Sequence, residues 1–398
     1  MRKMTVDDID ASNKRIVMRV DFNVPMQDGK IMDDTRIVST LPTIEHLLSS
    51  GASLVLMSHL GRPKGKVVPE LSLSPVAEAL GEYLNMKVKF LPNCIGKRTK
   101  NALKNLEKHR VVLLENLRFH SEEEKNDPKF AKELSSYGDI YVNDAFSACH
   151  RAHASIVGIP QYIKPAVAGY LMANEIKFLG TLLENPPRPF VAIIGGAKVS
   201  TKIAVLKNLL PKVDKLLIGG GMAFTFLAAL GLEIGDSLIE EDALKTAMEI
   251  WLISEQMGGK MMLPVDFLVA KEINNDTPVK TVEYDQIPQG WKGLDIGQGT
   301  IQLYTEEILA AKSVFLNGPM GIFEVERFAE GTRAIFESMA EIAARGNIAV
   351  VGGGDSASAA KSLGFGDKMT HISTGGGASL EFMEGKELPG IAALSDVE

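Results

Sequence analysis

Cysteine is scarce in this chain of 398 residues, which contains only Cys94 and Cys149. Neither belongs to a C-x-x-C pair, so the sequence argues against a disulfide framework and a zinc centre and fits a reducing compartment. Long hydrophobic runs are also missing. No apolar stretch is long enough to cross a bilayer, and MRKMTVDDID at the start lacks the apolar segment of a signal peptide. We therefore expect a cytoplasmic protein that does not bind membranes.

An excess of positive charge is missing as well. The chain has 43 Lys and Arg against 50 Asp and Glu, a formal net charge of −7, which argues against a general nucleic-acid binder. An anionic ligand must be attracted by a local basic cleft, because the whole molecule repels it. Two common nucleotide-binding motifs are absent too: G-x-x-x-x-G-K-[ST] does not occur, and no G-x-G-x-x-G follows a predicted strand.

The sequence does contain a regular alternation of apolar runs with amphipathic segments, and its length favours two domains. The strand-like runs are KRIVMRVDFNV, ASLVLMSH, VKFLP, RVVLLENLRF and DIYVNDAF in the first half, and FVAIIGG, KLLIGGG, KMMLPVDFLVA, SVFLNGP and NIAVVGGG in the second. Near-continuous apolar strands with helices between them predict parallel sheets covered on both faces. The predicted fold class is therefore α/β, with two Rossmann-like domains of similar size, each a parallel sheet flanked by helices.

The best candidate for a domain boundary lies near residues 165–189. Apolar spacing predicts a helix from Gly169 to Glu184, and the proline-rich segment that follows ends it. We interpret this as an interdomain helix over 170–185, between domains of 1–169 and 186–384. Periodicity alone fits one more sheet-covering helix within a single large domain equally well.

Glycine clusters follow four apolar runs of the second half: IIGGAK, LLIGGG, VVGGGDS and HISTGGG. A strand that ends in glycines and opens onto a helix presents bare N–H groups to a phosphate, and the helix dipole favours negative charge. After Gly195 and Gly196, Lys198 and Lys202 are four residues apart, which would place both ammonium groups on one helix face. Beside a glycine turn they suit a polyphosphate, although lysines at this spacing are usually helix surface.

Three further features of the second half suit a nucleotide. Gly353, Gly354 and Ser356 would hold phosphates, while Asp355 is either a Mg²⁺ ligand or a helix N-cap. Gly375 and Gly376 carry no neighbouring acid and suit a transferring phosphoryl group. The segment from Asn317 to Glu324 requires a fixed turn, and Glu324 is either a ribose contact or a surface residue.

The strand ends of the first half carry polar side chains instead of glycines. Asp21 and Asn23 would face one side of an extended segment, and arginine's planar fork suits carboxylate and phosphate. The other candidates for a small anionic substrate are Arg36, His59, Arg62, Arg118 and Arg151. We interpret His46, His109 and His120 as structural. One half thus suits a nucleotide and the other a smaller anion, as phosphoryl transfer requires. The rival interpretations are a nicotinamide-dependent dehydrogenase and a two-lobed binding module.

The motifs DFNVP, SHLGRPKG, ENLRFH, NDAFSACHRAHAS, GGAKVSTK, LPVDF, NGPMGIFE, GGGDS and STGGGASLEFMEGKELPG, in this order, closely resemble those of the phosphoglycerate kinase family. The resemblance runs from Asp21 to Gly390. It implies reversible phosphoryl transfer from 1,3-bisphosphoglycerate to Mg-ADP, giving 3-phosphoglycerate and ATP in glycolysis. It also implies a monomer of two domains that close like a hinge, with residues 385–398 packed on the first domain.

The resemblance also implies roles for individual residues. Matching positions assign the phosphoglycerate contacts to Asp21, Asn23, Arg36, His59, Arg62, Arg118 and Arg151. Nucleotide contacts fall to Gly195, Gly196, Lys202, Gly219, Gly220, Gly293, Asn317, Glu324, Gly353, Gly354, Asp355 and Ser356, with Asp355 holding Mg²⁺. Arg36, Lys198, Gly375 and Gly376 would meet the transferring group. One departure is Phe146-Ser147-Ala148-Cys149, where the family has Phe-Gly-Thr-Ala, so the conformation of that turn stays open.

Overall fold

The structure is a computed structural model that describes residues 2–104 and 110–397. The chain divides into two compact units. Unit 1 contains the residues up to Lys177 together with those from Glu387 onward, and unit 2 is Phe178–Lys386. No helix among the described residues is long and apolar enough to span a membrane.

Unit 1 is built on six parallel strands in the order β5-β6-β4-β1-β7-β8, with β2 and β3 forming a separate antiparallel hairpin. The strands are β1 Arg15–Arg19, β2 Met26–Gln27, β3 Lys30–Ile31, β4 Ser53–Met57, β5 Lys89–Leu91, β6 Val111–Leu114, β7 Ile140–Asn143 and β8 Ala166–Ala168. The helices are α1 Thr35–Val38, α2 Leu41–Ser49, α3 Ser74–Tyr83, α4 Lys97–Leu103, α5 Ser121–Glu124 and α6 Pro128–Ser135.

Both faces of this sheet are buried, which explains the near-continuous apolar strands. In β1, Ile16 and Met18 pack into one hydrophobic core and Val17 packs into the other. The chain leaves unit 1 through α7 (Tyr170–Glu184), and the division between the units falls inside this helix.

Unit 2 contains a six-stranded parallel sheet in the order β11-β10-β9-β15-β16-β17 and a three-stranded antiparallel sheet in the order β13-β12-β14. The strands are β9 Phe190–Ile194, β10 Lys215–Ile218, β11 Met261–Met262, β12 Asp266–Ala270, β13 Val279–Glu283, β14 Lys292–Ile296, β15 Ser313–Asn317, β16 Ile348–Val351 and β17 His371–Ile372. The helices are α8 Ile203–Leu209, α9 Met222–Ala229, α10 Leu244–Gln256, α11 Gln298–Ala310, α12 Glu330–Ala344, α13 Gly354–Ser362 and α14 Gly377–Met383.

The predicted α/β class with two parallel-sheet units is confirmed, but one predicted strand is wrong. KMMLPVDFLVA forms two strands in different sheets, β11 and β12. Pro264 lies between them, and proline cannot donate to a central strand ladder. The antiparallel sheet that begins at β12 is not predicted from the sequence.

The strand orders locate the place where each sheet reverses direction. Counting the strands of each sheet in chain order, unit 1 reads 3-4-2-1-5-6 and unit 2 reads 3-2-1-4-5-6. The reversals fall between β1 and β7 and between β9 and β15. Ligands of such sheets bind beyond the carboxyl ends of the strands at this point.

The last described residues return to unit 1. The short helix α15 (Pro389–Ala392) begins beside Cys149, whose carbonyl accepts a hydrogen bond of 2.9 Å from Gly390 N. Ser395 O accepts one of 2.8 Å from Met4 N, and Asp396 pairs with Lys3 at 2.8 Å.

Candidate functional site

Asp21 is the centre of a polar cluster just beyond β1, at the reversal point of the unit 1 sheet. Its Oδ2 accepts hydrogen bonds from the Arg36 guanidinium, at 2.5 Å, and from the Ser147 hydroxyl. Burial opposes ionisation, but the charge of Arg36 and the hydrogen bond from Ser147 hold the pKa of Asp21 below its ordinary value. The carboxylate is therefore charged at neutral pH and orients Arg36. Ser147, the departure from the family motif, takes part directly in this cluster.

Asn23 ties two sequence motifs together. Its backbone N–H donates to Asp21 Oδ1 at 3.1 Å, within the irregular segment that follows β1. Its side-chain Oδ1 accepts a hydrogen bond of 2.8 Å from Gly61 N. Gly61 has φ of 62°, a conformation that favours glycine, and its carbonyl accepts a 2.9 Å bond from Arg118 Nη1.

Arg118 is a buried cation with unused hydrogen-bond donors. Its Nε and Nη2 have no hydrogen-bond partner among the described residues, and Nε lies 3.5 Å from a Glu124 carboxylate oxygen. Burial, followed by the charges of Arg19 and Arg151, lowers the pKa of Arg118 to about 10. A buried guanidinium with unused donors is a strong anion-binding group, because an anionic ligand would satisfy both its charge and its N–H groups.

The remaining candidates of unit 1 differ in their surroundings. His59 is buried beside Arg19, with its Nδ1 3.0 Å from Arg19 Nη2. Arg151 is half-buried, and its Nε lies 3.0 Å from His150 Nε2. Arg62 is exposed on the loop after β4, so its place in the cluster rests on its position beside Gly61.

Two of the three histidines interpreted as structural contact neighbouring side chains. His46 stacks edge-on against Tyr170 with ring centroids 5.2 Å apart, and His120 Nε2 lies 3.0 Å from Asn93 Oδ1. His109 lies outside the described residues.

The glycines of unit 2 pack where no side chain fits, at the reversal point between β9 and β15. A Cβ on Gly195 would lie 2.2 Å from Pro319 O, and one on Gly220 would lie 2.5 Å from Gly196 N. A Cβ on Gly219 would lie 2.3 Å from Met320 Sδ. Three strand ends therefore meet closely, and the packing of the chain itself requires glycine at these positions.

Lys202 and Asn317 are joined at the same edge. Lys202 Nζ donates to Asn317 Oδ1, and Asn317 Nδ2 donates to Gly352 O at 2.9 Å. Burial lowers the pKa of Lys202, while the charges of Asp355 and Glu384 act in the opposite direction. The ammonium group thus lies near the GGGDS turn, as a phosphate-binding lysine should.

The prediction that Lys198 lies on a helix is wrong. Lys198 does not share a helix face with Lys202, because residues 195–202 form an irregular loop and α8 begins only at Ile203. Lys198 is exposed on this loop. The loop is held by Glu240, which accepts hydrogen bonds from Ser200 N at 3.0 Å and Ser200 Oγ at 2.6 Å.

The GGGDS turn forms the N-terminus of α13. Gly353 is the N-cap with φ of 88°, and Gly354 begins the helix. Ser356 is buried, and its Oγ accepts a 2.6 Å bond from Gly318 N. Asp355 is exposed in the first helical turn and is not the N-cap, so its carboxylate is not used for capping.

The other candidates of unit 2 lie on separate elements. Gly376 is the N-cap of α14 with φ of 54°, and Gly375 N donates to Ser373 Oγ at 3.1 Å. Gly293 lies in β14, where a Cβ would meet the Phe224 ring at 2.1 Å. Glu324 is exposed, seven residues beyond the end of β15.

The donor set of unit 2 fits Mg²⁺ held together with a nucleotide. No group of three or more His, Cys, Asp or Glu in the described part of the chain could hold a metal by itself. Mg²⁺ is commonly bound by one or two carboxylates plus substrate phosphates, and Asp355 supplies one exposed carboxylate at a helix N-terminus.

Three residues of these clusters were not predicted from the sequence. Arg19 and Glu123 are fully buried in unit 1, and Glu240 holds the Lys198 loop. The one available signal was the arginine at the carboxyl end of β1, RIVMR, where three apolar residues separate Arg19 from Arg15.

Comparison with known proteins identifies the family. The family model described as phosphoglycerate kinase matches residues 6–386. The phosphoglycerate kinase of Chloroherpeton thalassium is 53% identical over 396 residues, and that of Dictyoglomus turgidum is 55% identical over 399, each match covering 100% of both chains. The solved structure of phosphoglycerate kinase from Coxiella burnetii has a TM-score of 0.91 and 41% identity over 98% of each chain. The chain belongs to the phosphoglycerate kinase family.

Proposed function

We propose that this chain transfers a phosphoryl group reversibly from 1,3-bisphosphoglycerate to Mg-ADP, producing 3-phosphoglycerate and ATP in glycolysis. It acts as an ATP:3-phosphoglycerate 1-phosphotransferase. The observation that carries the proposal is the full-length match to phosphoglycerate kinases at 53% and 55% identity. Membership of a kinase family removes the support for a dehydrogenase or a non-catalytic binding module.

Unit 1 supplies the phosphoglycerate site in this proposal. Asp21 and Asn23 bind the hydroxyl group of the substrate, and four arginines and one histidine bind its carboxylate and phosphate. These are Arg36, His59, Arg62, Arg118 and Arg151. The unused donors of buried Arg118 support the assignment most directly.

Unit 2 supplies the nucleotide site. Lys202 and the GGGDS turn, including its Ser356, hold the phosphates. Glu324 contacts the ribose, and Asp355 holds Mg²⁺. The adenosine side is lined by Gly195, Gly196, Gly219 and Gly220 at the strand ends and by Gly293 in β14. Asn317 O accepts a hydrogen bond of 2.9 Å from Gly195 N and so helps to fix the first of these turns. Mg²⁺ bound by Asp355 would neutralise phosphate charge.

The transfer step needs positioning and charge stabilisation rather than a covalent intermediate. The attacking oxygen of ADP, or the carboxylate of 3-phosphoglycerate in reverse, is already ionised at neutral pH, so no general base is needed. Arg36, Lys198 and the N–H groups at Gly375 and Gly376 bind the transferring phosphoryl group more tightly in the transition state. Hinge closure of the units excludes water during the transfer.

A coupled assay with 3-phosphoglycerate and Mg-ATP tests the activity, and we expect turnover that needs both substrates and Mg²⁺. Isothermal titration should show one site for each substrate, with ADP binding weakened by chelation of Mg²⁺. Sedimentation should show a monomer, and fractionation should place the protein in the cytoplasm. A purified, folded chain that binds both ligands without turnover would contradict the proposed activity.

A further inference from the structure

Arg19 is a fully buried arginine at the carboxyl end of β1. A buried charge is costly unless it is paired and hydrogen-bonded. Its guanidinium meets three acceptors: Nε donates to Ser155 Oγ at 2.9 Å, Nη1 donates to the carbonyl of Val20, and Nη2 lies 3.0 Å from Nδ1 of His59. A position that the strand pattern would give to an apolar side chain is thus used to contact a candidate substrate-binding residue.

Glu123 supplies the opposite charge from the other side. It is fully buried, and it accepts hydrogen bonds from Ser155 Oγ at 2.5 Å and from Ser155 N at 2.9 Å. Ser155 therefore donates to Glu123 and accepts from Arg19. These contacts form a continuous chain from Glu123 through Ser155 and Arg19 to His59, and they fix the guanidinium beside the ring.

The contact between Arg19 and His59 determines where the imidazole carries its proton. Arginine stays protonated and has no acceptor, so its N–H can bond only to a ring nitrogen with a free lone pair. Nδ1 of His59 must then be unprotonated. The proton of the neutral ring lies on Nε2, because an imidazolium would place two donors face to face.

We propose that Arg19 is a positioning residue that fixes His59 as the neutral tautomer protonated at Nε2, with Glu123 holding Arg19 through Ser155. His59 then offers its anionic substrate one hydrogen-bond donor and no charge, while the cationic charge comes from the arginines. The part that concerns the substrate rests on the function proposed above.

The surrounding charges support this assignment. The pKa of His59 is lowered well below its ordinary value. Burial is the largest cause and the charge of Arg19 the next, and the charges of Arg118 and Arg151 act in the same direction. The Asp21 carboxylate acts in the opposite direction. The ring therefore stays neutral through the pH range in which a histidine normally titrates, about 6.5.

Histidine-labelled ¹⁵N NMR of the whole chain tests the tautomer, with His59→Gln used to assign the resonances. We expect a protonated Nε2 and an unprotonated Nδ1, unchanged between about pH 5.5 and 7.5. A ring protonated at Nδ1, or an imidazolium within this range, would overturn the proposal. The spectrum needs no turnover, so its outcome is separate from that of the kinase assay.

The double variant Arg19→Met with Glu123→Gln removes both buried charges together, and Arg15→Gln at the opposite end of β1 is the control. We expect His59 of the folded double variant to titrate toward its ordinary range and the KM for 3-phosphoglycerate to become pH-dependent, while the control behaves as wild type. A folded double variant with unchanged His59 resonances would reduce Arg19 to a structural residue. If the double variant does not fold, the spectrum of the wild-type protein alone tests the tautomer of His59.

Discussion

Lys202 donates a hydrogen bond to the side chain of Asn317, which lies 115 positions later in the chain. Asn317 also donates to Gly352 O at 2.9 Å. One amide thereby links the end of β15 to the lysine before α8 and to the glycines before α13. The groups that we propose to bind phosphate in unit 2 are thus connected through the side chain of Asn317.

This link predicts that Lys202→Met and Asn317→Ala weaken nucleotide binding in the same way. We expect each to raise the KM for ATP by roughly 10-fold, the equivalent of one lost hydrogen bond to a charged group, with little change in the KM for 3-phosphoglycerate. Steady-state kinetics measures both values. Lys207→Met, at an exposed position of α8, is the control. Additive rather than overlapping effects in the double variant would contradict a shared role.

Arg36 is predicted to act mainly on turnover. Its guanidinium is oriented by Asp21, which stays ionised at neutral pH. Arg36→Ala should lower kcat by about 100-fold or more, as the loss of one donor aimed at developing charge does. Arg98→Ala, an exposed arginine on α4, should have no effect. Near-normal turnover of Arg36→Ala would remove this residue from the transfer step.

Local features of this fold could be predicted from the sequence, whereas contacts between residues far apart in the chain could not. Strands and turns could be predicted because apolar β-branched runs and glycine clusters act locally. The contact of Ser147 with Asp21 spans 126 positions, and no local pattern encodes such a pair. The helix expected at Lys198 failed because Gly196 and the Ser200 contact with Glu240 hold an irregular loop. The role of the buried Arg19 was not predicted because its side-chain partners, His59 and Ser155, come from two distant segments.

Gly220 allows the effect of backbone strain to be separated from that of a steric clash. Gly220 has φ of 67°, and an added Cβ would lie 2.5 Å from Gly196 N, whereas Gly231 has φ of 83° with open space around it. Gly231→Ala should cost only the conformational strain, about 1–2 kcal/mol. Gly220→Ala should cost more and should also weaken ADP binding. Urea unfolding and ADP titration check both, and equal effects of the two variants would contradict the close-packing argument.

Asp295 predicts an unusual pH dependence of stability in unit 2. Burial raises the pKa of this carboxyl to about 7, although the N–H groups of Gly331 and Ile296 partly oppose it. The folded state therefore binds a proton that the unfolded state has already released above about pH 4. The stability contributed by Asp295 is present at low pH and is lost as the pH rises toward 7, by an amount on the order of a few kcal/mol.

Urea unfolding at a series of pH values measures this dependence. Both tryptophans of the chain, Trp251 and Trp291, belong to unit 2, so their fluorescence follows that unit alone. Asp295→Asn should be less stable at about pH 5 but should vary less between pH 5 and 7. Asp285→Asn, at an exposed position, should keep the wild-type slope. A wild-type slope in Asp295→Asn would assign the pH dependence to other groups.

Glu240 is predicted to control how well Lys198 is placed. It holds Ser200, two residues beyond Lys198, through bonds of 3.0 and 2.6 Å to the backbone N and the hydroxyl. Burial disfavours its charge, but these bonds and the charge of Lys198 together outweigh burial and lower the pKa of Glu240. Glu240→Gln should lower kcat by roughly 10-fold, because a charged hydrogen bond is exchanged for a neutral one. Glu241→Gln, at the neighbouring exposed position, should leave kcat unchanged.

Hydrogen exchange of the Ser200 amide should become faster in Glu240→Gln and not in Glu241→Gln. A loss of turnover in Glu240→Gln without faster exchange would show that Glu240 acts by another route.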